Sequence, residues 1–167
     1  MSQLWEQLHQ LFDTNDGSLP SIGLNNLQDQ EVERIYLYLR SQSELVSIDA
    51  YFWSTVTEEE IPIDSVKNAA HLVIIGEAEN FHIVVSGLSF GDAVIPDLGI
   101  FVFTDSIELD YRMGEEWGIA ELDALFMLFS KIRELAPLVK IKLPDFHTED
   151  NEQFISALMQ YWNIDNY

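Results

Sequence analysis

Apolar residues recur along this chain at two different periods, and the changes between them mark out its elements. Leu4, Leu8, Leu11 and Phe12 fall on one face of a short N-terminal helix, which the turn Asn15-Asp16-Gly17 ends. Pro20 and Gly23 then read as a connector. A second helix is predicted from about Asp29 to Ser41, with Val32, Ile35, Tyr36 and Leu39 as its buried stripe. Asp29 and Glu31 stand in its first turn, where the positive end of the helix dipole favours carboxylates.

From about Leu45 the period shortens to two. Val46, Ile48, Ala50 and Phe52 alternate with Ser47, Asp49 and Tyr51, which predicts a half-buried strand and places the start of the sheet here. Residues 71–75 and 81–85 are short apolar runs on either side of Gly76-Glu77-Ala78-Glu79-Asn80, the pattern of a hairpin lying centrally in the sheet. Residues 100–103 form a further buried run. After Thr104-Asp105, Ile107, Leu109 and Tyr111 alternate with Glu108, Asp110 and Arg112, so one face of that strand packs while the other carries charge.

Helical spacing returns most strongly from about Ile119 to Leu135, with Ile119, Leu122, Leu125, Phe126, Phe129 and Ile132 on one face, acids early, and Lys131 and Arg133 late. Pro137 stops it. Residues 138–143 alternate again, and Lys140 and Lys142 on one face suit an edge strand guarded against unwanted pairing. A last helix begins at Thr148 and is anchored by Phe154, Ile155, Leu158 and Trp162. Helices at both termini around hairpin-spaced strands predict a single α+β domain over residues 1–167, with a mostly antiparallel central sheet and helices packed on one face.

Composition adds the charge. The 167 residues are 47% hydrophobic and 12% aromatic, yet carry a formal net charge of −21 from 29 Asp and Glu against eight Lys and Arg. Disordered acidic segments lack the apolar residues to fold, whereas this chain has material for a core and must wear its charge on a folded surface. The resulting negative field reaches about one Debye length, ~8 Å at physiological salt, and favours a basic partner. It would repel nucleic acid. There is no cysteine, which removes disulfides and thiolate sites and suits a reducing compartment. The N-terminus has no basic n-region and no apolar run reaches the ~18 residues of a span, so a cytoplasmic protein without membrane contact is expected.

Candidate chemistry is sparse. His9, His71, His82 and His147 are dispersed, and in the predicted hairpin His82 would face Ile75 with His71 ~14 Å away, too far to share a metal ion. No cofactor is implied: Gly87, Gly91 and Gly99 do not form a phosphate loop, and no spacing matches a calcium loop. Glu108 and Asp110 share a strand face with Glu115 and Glu116 close behind, which leaves open a small enzyme or metal-binding regulator built on carboxylates. Between residues 41 and 130 there are seventeen acids against Lys67 and Arg112, a local net of −15, while four of the eight bases lie at 131–142. Such a surface either keeps the protein soluble or docks a cationic protein. For docking, Glu58, Glu59, Glu60, Glu108, Asp110, Glu115 and Glu116 would steer, and Trp53 or Trp117 would anchor.

Three segments carry a resemblance: residues 16–22, Asp-Gly-Ser-Leu-Pro-Ser-Ile; residues 96–103, Pro-Asp-Leu-Gly-Ile-Phe-Val-Phe; and residues 110–118, Asp-Tyr-Arg-Met-Gly-Glu-Glu-Trp-Gly. Together they resemble a family of small acidic bacterial proteins associated with immunity to contact-dependent and polymorphic toxins. That resemblance implies a non-enzymatic protein that neutralises a cognate toxin domain, and the acidic surface suits a basic toxin such as a nuclease. A housekeeping interaction module is the plainer alternative. Physically, residues 110–118 read as a strand-to-helix corner in which Tyr111 points inward, Gly114 permits the turn and Trp117 closes the core. Arg112 would hold that corner by forking onto carboxylates, so for Arg112 and Trp117 structure stands ahead of direct partner binding.

Overall fold

In the computed structural model, which describes residues 2–47 and 49–167, the chain runs through five helices and ten strands. The first half comprises α1 (Gln3–Leu8) with a 3₁₀ turn (His9–Leu11), β1 (Ser21–Asn25), α2 (Asp29–Ser41), β2 (Glu44–Leu45), β3 (Tyr51–Ser54), β4 (Glu59–Pro62), a 3₁₀ turn (Ile63–Ser65) and α3 (Ala69–Ile74). The second comprises β5 (Phe81–Ser86), β6 (Ser89–Phe90), β7 (Ala93–Val94), β8 (Leu98–Val102), β9 (Ile107–Tyr111), α4 (Ile119–Leu135), β10 (Lys140–Lys142) and α5 (Thr148–Trp162).

Six strands form one sheet in the order β10-β1-β9-β8-β5-β2, with every neighbouring pair antiparallel. Strand alternation separates its faces. Ile22, Leu24, Phe81, Ile83, Leu98, Ile100, Ile107, Leu109 and Ile141 point into one core shared with Val32, Ile35, Leu125, Phe129, Phe154 and Leu158 of the helices. The opposite face presents Gly23, His82, Phe101, Glu108 and Asp110. Two hairpins, β3–β4 and β6–β7, stand outside the sheet, and the second packs on α4. The α+β architecture with helices at both ends agrees with the sequence reading.

Several elements depart from it. The stretch around Pro20 and Gly23 is strand β1, set between β9 and β10 in the sheet interior. Only Ile22 and Leu24 alternate there, too short a signal beside a proline and a glycine. The long strand expected from Leu45 divides into β2 and β3, which belong to different sheets; Val46 is exposed, and Ile48 lies outside the described residues. Residues 69–74 form a helix where a strand was expected. Ala69 and Ala70 are strong helix formers, and the Asn68 side chain accepts the His71 N–H at 3.2 Å, capping the first turn. His82 therefore faces Phe101 of β8 instead of Ile75.

The sheet edge at β10 is closed by an aromatic residue. The Ile141 N–H donates to the Tyr167 hydroxyl, which in turn donates to the Ile141 carbonyl at 3.1 Å. The Tyr167 ring lies under the Lys140 ammonium at 4.8 Å, and desolvation pushes its phenol up to about 12. Lysines and a capping ring together blunt that edge.

Candidate partner-binding surface

The β3–β4 hairpin projects one face inward and one outward. Phe52 and Ser54 are buried, and this alternation turns Tyr51 and Trp53 outward, 48% and 40% exposed. Trp53 stands opposite Glu60 in the hairpin register, and Tyr51 opposite Pro62. The chain entering β5 holds the hairpin in place: the Glu79 N–H donates to the Trp53 carbonyl at 2.9 Å, and the Thr55 hydroxyl donates to the Gly76 carbonyl at 2.7 Å. Between the hairpin and β5 runs an open groove of about 540 Å³ that includes Asp49, Tyr51, Trp53, Glu60, Glu79 and His82 in its lining. Among the described residues no Lys or Arg lines it.

His82 links this groove to the open sheet face. Its Nε2 lies 2.6 Å from an Asp110 carboxylate oxygen on β9, across the intervening strand β8. The pair exists because Gly99 separates them: Asp110 sits opposite Gly99, and a Cβ there would land on the Asp110 carboxylate. The His82 ring also lies 5.8 Å from Phe101, which contacts Phe103 at 4.5 Å.

The acids singled out by charge do not form one patch. Glu58, Glu59 and Glu60 belong to the β3–β4 hairpin, beside the start of β5. Residues 112–117 leave the end of β9, which the register places beside the end of β5, since Leu98 faces both Tyr111 and Val85. Glu115 and Glu116 are exposed there, at the far end of the sheet from the hairpin. Glu108 and Asp110 occupy the open face between them. Among the described residues no group of three or more His, Cys, Asp or Glu side chains could hold a metal ion. The Glu108, Asp110 and Glu115 carboxylates thus give no converged centre.

The corner is structural. Trp117 is only 3% exposed, packs on Phe12 at 4.9 Å and Tyr111 at 5.5 Å, and donates its indole N–H to the Arg112 carbonyl at 2.8 Å. Arg112 therefore holds the corner through its backbone; its guanidinium is exposed and forms no ion pair among the described residues, contrary to the expected fork onto carboxylates. Gly114 has φ +149°, a value side chains disfavour, and donates its N–H to the Phe12 carbonyl at 2.8 Å. The Tyr111 hydroxyl donates to the Leu11 carbonyl at 2.8 Å, and burial raises its pKa well above the ordinary tyrosine value. With Trp117 in the core, Trp53 is the tryptophan available as an anchor.

Tyr51, Asp49, Glu79 and His82 complete the groove without having stood out as docking residues. Their placement depends on segments about thirty residues apart coming together; only the alternation that turns Trp53 outward was readable locally. Among the described residues no helix is long and apolar enough to cross a membrane. No protein-family model, curated protein or solved structure matches the chain.

Proposed function

We propose that this is a non-enzymatic binding protein that neutralises a cationic protein partner, a toxin domain of the kind that the resemblance to immunity proteins implies. The observation that carries the reading is the groove beside β5: two exposed aromatic rings with Asp49, Glu60 and Glu79 around them and, among the described residues, no Lys or Arg in the lining. Exposed aromatics supply burial on docking, while unpaired acids steer an oppositely charged surface into place. A net charge of −21 extends that steering beyond the contact itself. The partner is a basic protein, such as a nuclease that must hold a polyanion, and not nucleic acid or membrane.

The test is co-expression with the toxin domain encoded beside its gene, followed by binding kinetics on the purified pair. Growth rescue and a complex whose association slows between ~50 and ~500 mM salt are expected. A complex that forms with an unchanged association rate over that range would overturn the electrostatic mechanism. Failure to bind any toxin domain encoded beside it would overturn the neutralisation itself.

A further inference from the structure

The four tryptophans are treated differently by the fold. Trp5 packs on the His9 ring, Trp117 is buried with its indole N–H bonded, and Trp162 lies under the Arg133 guanidinium at 4.8 Å with its N–H on the Ser130 hydroxyl. Trp53 has no aromatic, cationic or hydrogen-bonding side-chain partner among the described residues. Two partly exposed rings are covered by the protein's own cations, Tyr38 by Lys131 and Tyr167 by Lys140, whereas the more exposed Tyr51 and Tyr161 are not. Trp53 has no such cover among the described residues, and it stands among acids.

The surrounding charge specifies what would complete it. Glu60 is the cross-strand neighbour of Trp53 on the same hairpin face, a position whose Cβ atoms lie ~4.5–5.5 Å apart. Asp49 and Glu79 line the same groove, and none of the three forms an ion pair among the described residues. Resting on the reading above, we infer that this groove is the docking point for an arginine side chain of the cationic partner. The guanidinium lies flat on the Trp53 indole while its N–H fork engages the Glu60 carboxylate. Stacking and bidentate bonding both require a planar, delocalised cation; lysine offers a point charge that satisfies the carboxylate but cannot also form the fork. A diffuse acidic field would attract both equally. Arginine selectivity is therefore the signature of a site, as distinct from a charged surface.

The experiment titrates the full-length protein with capped oligo-arginine and oligo-lysine peptides of equal length at low salt, by calorimetry. The arginine peptide should bind roughly five- to tenfold more tightly. Trp53→Ala and Glu60→Gln should each bring arginine binding down to the lysine level, whereas Glu116→Gln, at the far end of the sheet, should shift both peptides equally and little. In the unmodified protein the Trp53 indole resonance should move on adding arginine peptide, a readout independent of any variant's folding. Equal binding of both peptides, or an arginine preference that survives Trp53→Ala with the Trp53 resonance unmoved, would overturn the arginine site and leave the cationic-partner reading standing. No binding of either peptide would overturn both.

Discussion

Trp117→Ala is expected to remove a large part of this protein's stability. The indole is 3% exposed, so nearly the whole ring, a burial of ~200 Å², is withdrawn from water at ~25 cal/mol per Å². Part of that burial remains with alanine, while a cavity between Phe12 and Tyr111 adds to the loss. The net cost is therefore ~3–5 kcal/mol. The lost N–H bond to the Arg112 carbonyl, which is partly buried, falls within that range. Against a total stability of ~5–15 kcal/mol, the variant should melt ~6–20 °C lower, using ~2–4 °C per kcal/mol for a chain of this size. Urea unfolding followed by circular dichroism measures it, with Trp117→Phe expected to lose about half as much. Because Trp117 ties the corner to the N-terminal turn, exchange of the Gly114 N–H, which bonds Phe12, should accelerate in step. A loss below ~1 kcal/mol with an unchanged denaturant slope would refute the burial argument.

Gly99→Ala should displace the Asp110 carboxylate and cost ~1–3 kcal/mol, a penalty that shrinks in an Asp110→Ala background when both are measured in a double-mutant cycle. Equal penalties in the two backgrounds would show that something else fills the space over Gly99. Tyr167→Phe should speed exchange of the Ile141 N–H, read by NMR, since that donor loses its hydroxyl acceptor. The folded protein holds the Tyr167 phenol up to about 12 against an ordinary 10, so it binds that proton more tightly than the unfolded chain does. Stability from this group is complete below pH ~10 and falls as pH rises toward 12; urea midpoints above pH 10 should fall less steeply in Tyr167→Phe. Reversing Glu58, Glu59 and Glu60 to lysine should slow association with a cationic partner while the circular dichroism spectrum is unchanged, because all three are exposed.

Long periodic segments were legible because many positions repeat the same message. α2 and α4 run as the hydrophobic stripes of Val32 to Leu39 and Leu122 to Ile132 indicate, and Lys140 and Lys142 do mark an edge strand. Short segments were not. Ile22 and Leu24 give one repeat of a strand, and residues 69–74 give one turn and a half of helix, too little for period to decide. The corner around Trp117 was readable as structure, but the role of Arg112 was misplaced, since sequence shows a guanidinium and not which carbonyl an indole will find. The groove was legible only in Trp53 and Glu60. Joining them to Glu79 and His82 requires knowing that residues 77–79 run beside β3, a fact set by the tertiary fold.

The position of β1 inside the sheet also sets a schedule. Its two neighbours are residues 107–110 and 140–142, so Ile22 and Leu24 can be covered on both sides only after most of the chain exists. At ~5–20 residues synthesised per second, the interval between making residue 24 and residue 142 is roughly 6–24 s. Contacts this distant in sequence also close slowly even in the finished chain. During that interval an apolar strand with open edges is available to other unfinished copies on the same messenger. Mutual repulsion between acidic chains opposes such encounters, so the charge proposed to steer a partner after folding would first keep incomplete copies apart.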